Sequence, residues 1–108
     1  MIKHIVLWKL KEHAEGKPKA ENAAMLKREL ESMTSRIPEI RKLEVGINFN
    51  TGEDAYDLAL FSEFATKQDL EIYQNHSEHQ RVVAILRRLR DTRAVVDFET
   101  QGHKGEPL

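Results

Sequence analysis

Residues 2 to 10, IKHIVLWKL, alternate in two registers: Ile2, His4, Val6, Trp8 and Leu10 fall on one face, while Ile5 and Leu7 sit between lysines on the other. The pattern predicts a strand that is apolar on both sides. EHAEGKPKAE then reads as a polar loop in which Pro18 suits an early helix position. After it Ala23, Leu26, Leu30, Met33 and Ile37 recur at three- and four-residue steps, predicting an amphipathic helix stopped by Pro38. KLEVGINF, residues 42 to 49, places Leu43, Val45, Ile47 and Phe49 on one face of a second strand, and NTGED supplies turn residues. YDLALFSEF, residues 56 to 64, is a third strand joined to it by a hairpin, with Leu58 and Leu60 against Ala59 and Phe61.

From Thr66 the pattern becomes helical: Thr66 and Asp69 have capping-box spacing, and Leu70 and Tyr73 follow one turn apart. Ser77 and Gln80 repeat the S-x-x-Q signature before a second apolar series of Val82, Val83, Leu86 and Leu89. Two helices meeting at a corner are expected. AVVDFE, residues 94 to 99, forms a last strand with Ala94, Val96 and Phe98 on one face, and 101–108, QGHKGEPL, is expected to be a flexible C-terminal tail after a domain of residues 1–100.

The order strand, helix, strand, strand, helix, strand predicts an α+β, ferredoxin-like split β-α-β-β-α-β fold with a four-stranded antiparallel sheet. Helices of this number cover one face of such a sheet. Because at least two strands are apolar on both sides, the other face calls for a homodimer through the open sheet face, the two sheets closing into a dimeric α/β barrel.

Composition narrows the partners. A chain of 108 residues, 40% hydrophobic, builds one domain with a small core. Its 17 Lys and Arg against 18 Asp and Glu create no field that would draw nucleic acid or an anionic membrane. IVLW is too short for a membrane span or a secretory leader, so a cytoplasmic protein is expected. Without cysteine, disulfides and thiolate nucleophiles are excluded.

The concentrated chemistry lies in YQNHSEHQ, residues 73 to 80, within a chain of two tyrosines and five histidines. On an unbroken helix, at about 100° per residue, Tyr73 and His79 would point roughly 120° apart. They can face one another only if the chain bends, and Ser77 is the expected bend, acting as N-cap for the second helix.

HIVLWKL, LEVGIN, YDLALFSEF, YQNHSEHQRVV and AVVDFE resemble segments of the stress-responsive α/β-barrel (Dabb) domain family, over nearly all of residues 1–100. The most specific piece is Tyr-x-x-His-Pro-x-His, which here reads Tyr73, His76, Ser77 in place of the Pro, and His79. The resemblance implies a ferredoxin-like dimer with a central barrel and a hydrophobic small-molecule pocket between the sheet and the helices of each protomer. Most members have no assigned activity. A plant polyketide cyclase of the family works with the motif's Tyr and last His, which by position are Tyr73 and His79. The resemblance also puts the His4 face of the first strand beneath the helices, so His4, Val6, Trp8 and His76 become substrate-binding candidates.

Such a cavity suits removal of a proton next to a carbonyl, with neutral His79 as base and Tyr73 donating to the enolate oxygen. The enzyme class would be a cofactor-independent cyclase, lyase or isomerase acting on a C–H acidic carbonyl compound. The blander reading is structural: the motif ends one helix and His76 bonds a backbone carbonyl, with Trp8 and methionines filling any space. Related dimeric barrels include cofactor-independent monooxygenases, a further alternative by fold analogy. His4, His76 and His79 could form a three-imidazole zinc site, but His-x-x-His is a common accident and no metal is assigned. Arg87, Arg88, Arg90 and Arg93 form a basic stripe. The third strand, with Asp57 and Glu63 and no glycine, does not match RNA-recognition modules, and the arginines are expected on a solvated helix face.

Overall fold

The computed structural model describes residues 1–101. The chain runs β1 (Ile2–Leu10), β2 (His13–Ala14), β3 (Lys17–Pro18), α1 (Lys19–Ser32), a 3-10 turn at Met33–Ser35, β4 (Lys42–Ile47), β5 (Leu58–Phe64), α2 (Lys67–Asn75), α3 (Ser77–Leu89) and β6 (Arg90–Glu99). The main sheet has the order β4-β5-β1-β6 with every neighbouring pair antiparallel, the split ferredoxin-like arrangement. Within one chain this sheet is open. Of the tail expected at 101–108, all beyond Gln101 lies outside the described residues. No helix among the described residues is long and apolar enough to cross a membrane.

β1 is a central strand, and its two-sided apolar pattern fits that place. Ile2, Val6, Trp8 and Leu10 pack under the helices with Leu58, Leu60 and Phe64 of β5. Leu26 and Leu30 of α1, Met33, and Val82, Leu86 and Leu89 of α3 close this layer from above. On the other side Ile5 and Leu7 align with Phe61 and Ala59 of β5 and with Val96 and Ala94 of β6. Lys3 and Lys42 lie over the Phe61 ring at 5.3 and 5.6 Å.

Several boundaries differ from the sequence expectation. The polar loop contains a tight hairpin, β2–β3, whose turn residues Glu15 and Gly16 have φ of 52° and 76°. Two positive φ values mark a type I′ turn, and two-residue strands are too short to show a period. Asn22, buried in α1, pins this hairpin by donating Nδ2 to the carbonyls of Ala14 and Lys17 at 3.1 and 3.3 Å. Pro18 caps α1 rather than lying inside it. The α-helix ends at Ser32, well before Pro38, because the chain tightens: the N–H groups of Arg36 and Ile37 both donate to the Met33 carbonyl, at 3.0 and 2.9 Å.

β4 stops at Ile47, and Phe49 is 97% exposed instead of sharing the strand's inner face. Successive side-chain turns explain the departure. Asn48 Oδ1 accepts the Asn50 N–H and Asn50 Oδ1 accepts the Gly52 N–H, each at 2.8 Å, drawing the backbone out of the ladder. β6 starts at Arg90, directly after α3, so it is longer than AVVDFE alone indicates.

Candidate functional site

α2 opens at Thr66, whose Oγ1 accepts the Asp69 N–H at 3.0 Å as the capping spacing predicts. It ends at Asn75. His76 then takes φ −66° and ψ 141°, extended backbone that cannot continue a helix, and α3 starts at Ser77. The bend is therefore at His76, one residue before the expected corner. Its imidazole is the cap: Nδ1 accepts the Glu78 N–H at 3.0 Å, and its carbonyl accepts the Gln80 N–H at 3.0 Å.

Ser77 occupies the first helical position, where an N–H has no intrahelical partner. Proline is favoured there for the same reason, so exchanging Pro for Ser leaves the corner intact. His76 accepts a backbone N–H rather than donating to a carbonyl, and it does not line the cavity described below. Gln80 forms no capping box. Its Nε2 donates to the Gln74 carbonyl at 2.8 Å and straps α2 to α3.

The bend brings the Tyr73 and His79 rings together, with centroids 4.6 Å apart and planes at 59°. Phe64 supports Tyr73 from β5 at 4.9 Å, and His4 meets it edge-on at 5.9 Å. Tyr73, His79 and His4 border a cavity of about 280 Å³. His4, Val6 and Trp8 of β1 line its sheet side, and Leu30, Met33, Val82 and Leu86 its helix side. Trp8 and Met33 thus border the space without filling it. A second hollow of about 400 Å³, beside Phe49 and Tyr56, contains no imidazole and lies near the β4–β5 connection.

Burial divides the roles of Tyr73 and His79. Desolvation pushes the Tyr73 phenol well above its ordinary value, only partly opposed by the Arg93 charge, so it stays protonated. His79 is held below the usual imidazole value, chiefly by burial and further by His4, Arg93 and His76. The Gln74 carbonyl works the other way. It is already engaged by the Gln80 amide, and among the described residues the buried His79 Nδ1 has no hydrogen-bond partner.

Two contributions to the site were not anticipated. Asp97 of β6 lies directly across from His4 of β1 and its carboxylate bonds His4 Nδ1. An ionised carboxylate only accepts, so Nδ1 carries the proton and, in the neutral ring, Nε2 is the acceptor. The alternation of β6 put Asp97 on the face opposite Val96, yet nothing local paired that face with His4. The second contribution is the basic stripe, which is not one solvated helix face. Arg90 and Arg93 belong to β6, and with Arg87 they line the cavity. Arg88 turns away and pairs with Glu15 at 2.9 Å.

The model of the stress responsive A/B barrel domain, Dabb, matches residues 2–100. A dimeric protein of unknown function with a ferredoxin-like fold from Bacteroides fragilis is 38% identical, covering 92% of this chain and 95% of its own, with a TM-score of 0.79. Hydroxynitrile lyase from Passiflora edulis shares the fold at 11% identity, covering 95% of each chain, with a TM-score of 0.76. An antibiotic biosynthesis monooxygenase shares it at 22% identity, covering 93% of this chain and 98% of its own, with a TM-score of 0.69. No curated protein matches the chain.

Proposed function

The chain belongs to the stress responsive A/B barrel domain family, and from that premise we propose that it acts as a cytoplasmic homodimer in which each protomer takes a small hydrophobic molecule into the cavity between sheet and helices. The observation that carries this reading is the cavity of about 280 Å³ beside Tyr73 and His79, bordered rather than filled by Trp8 and Met33. Its size is near the lower end for small-molecule sites, and its lining joins an apolar wall of Val6, Trp8, Leu30, Met33 and Leu86 to nearly as many polar side chains. Pairing through the open face is supported by the exposed Val96 and Phe98 beside Ile5 and Leu7, and by the dimeric Bacteroides fragilis relative.

A second reading, cofactor-free proton transfer, is favoured by the partnerless buried nitrogen of His79 beside a protonated phenol. Neutral His79 takes a proton from the carbon next to a carbonyl, and Tyr73 donates a hydrogen bond to the oxygen that gains charge. His4, oriented by Asp97, presents Nε2 as a further acceptor for a substrate hydroxyl or water. The enolate then closes a ring by attacking a second carbonyl of the same folded chain, whose π electrons move to oxygen and take the proton back from His79, or, where it is conjugated to a further double bond, it takes that proton back at the distant carbon. The monooxygenase alternative rests on fold likeness alone.

Both readings are tested with 4-phenyl-2-butanone in deuterated water. Binding is expected to raise the thermal midpoint of the wild type, and deuterium is expected to enter the positions next to the carbonyl faster than in buffer. His79→Gln should lose the acceleration and keep the binding. A midpoint that no hydrophobic ketone moves sinks the binding reading, while binding with exchange equal to buffer sinks the chemical one.

A further inference from the structure

The cavity joins apolar wall residues and the Tyr73, His79 and His4 rings to a basic group of side chains. Arg87 comes from the last turn of α3, Arg90 from the helix–strand junction and Arg93 from β6, and all three border the same space as Trp8 and Leu86. Arg36, Arg81 and Arg88 each pair with a glutamate. Among the described residues, Arg87, Arg90 and Arg93 form no ion pair. Asp91 lies between Arg90 and Arg93 in β6 but, among the described residues, forms no ion pair and does not line the cavity, and Asp97 is committed to His4 and does not line it either. Arg93 is close enough for its charge to act on both Tyr73 and His79.

Three planar forks without carboxylate partners around one cavity suit an anionic head group, because guanidinium presents paired donors to carboxylate or phosphate oxygens. We propose that the ligand is an organic anion, a carboxylate or a phosphate ester, whose apolar body lies between Trp8, Met33 and Leu86 while Arg87, Arg90 and Arg93 hold its charged head at the mouth. The inference rests on the small-molecule reading and names the ligand class for that site. It also sets a direction of entry: the uncharged end goes inward to Tyr73 and His79, and the charge stays where water completes its solvation.

The test measures affinity by calorimetry for three probes with one apolar body: 4-phenylbutanoate, 4-phenylbutyl phosphate and 4-phenylbutanamide. At least one anion is expected to bind about tenfold or more tightly than the amide, with affinity falling as salt is raised. Arg87→Gln, Arg90→Gln and Arg93→Gln should each weaken that anion by roughly tenfold and leave the amide unchanged. Arg88→Gln, whose side chain lies away from the cavity, is the control and should alter neither. The carboxylate and phosphate arms show which head the forks prefer. Amide binding equal to that of both anions overturns the anion inference and leaves the pocket standing, as does an anion preference that survives in all three variants. Failure of every probe to bind removes the pocket reading together with the inference.

Discussion

The two faces of the central sheet carry similar apolar content and meet opposite fates. On the inner face of β1, Val6 and Trp8 are covered by α1 and α3, and the cover leaves a partly open cavity lined with imidazole, phenol and guanidinium. On the outer face, Ile5 and Leu7 are only partly buried by their own chain, and in the neighbouring strand Val96 and Phe98 remain 55% and 45% exposed. One face is covered within the protomer except at the β6 edge, where Val95, opposite Val6, is 45% exposed, and it carries the clustered polar side chains. The other is a flat apolar surface edged by Lys3, Lys42 and Glu63, a composition suited to meeting its own copy. In the proposed reading a single strand serves two tasks through alternate residues, and each can be disturbed without the other.

The largest expected effect is on the outer face. Val96→Lys places an unpaired charge, twice, in the proposed interface and should weaken dimerisation by about a hundredfold or more. Sedimentation velocity would then show monomer, with the circular dichroism of the fold kept. A variant that stays dimeric would show that the copies meet elsewhere.

Leu26→Ala tests the inner face, since this side chain is fully buried between α1 and the sheet. It should lower stability by about 2–5 kcal/mol in urea unfolding and leave the association state alone. If both substitutions changed stability and assembly alike, the division of labour between the faces would be wrong.

A smaller loss, about 1 kcal/mol, is expected for His76→Ala, which removes the acceptor of the Glu78 N–H at the α2–α3 corner. The same variant should also weaken ligand binding, because the corner sets the approach of Tyr73 to His79. Unchanged binding would mean that packing of Phe64 against Tyr73 is enough to hold the pair.

The smallest effect is a pH dependence confined to the inner face. Burial holds His79 below its unfolded imidazole value, so folding favours the neutral ring. Its contribution is full above the unfolded value, near pH 6.5, and is lost as pH falls through the lower folded value. Stability should therefore decline on acidification from neutral pH, less steeply in His79→Gln. Parallel curves for wild type and variant would show that other groups cause the decline.

The legibility of the fold followed from period. Alternation in IKHIVLWKL and LALFSEF, and the three- and four-residue steps of Ala23, Leu26 and Leu30, are local signals, and each became the expected element. Boundaries set by side-chain turns were less legible. Asn48 and Asn50 removed Phe49 from its strand, and the β2–β3 hairpin was too short to show a pattern. Within the site, the need for a bend between Tyr73 and His79 could be read from helical geometry, but not that His76 supplies the cap. A histidine accepting a backbone N–H is a less usual cap than the serine beside it.

By itself the sequence determined which residues share a strand or helix face, that one sheet face would lack cover, and that Tyr73 and His79 required a corner to meet. These follow from bond geometry within a few residues of each position. Only the tertiary structure decided that Asp97 holds His4 across 93 positions of chain, that three of four clustered arginines border the cavity while the fourth turns to Glu15, and that Trp8 leaves space beside it. Those outcomes depend on which strands become neighbours and how closely helices settle on them. Such non-local packing distances leave no period in the chain.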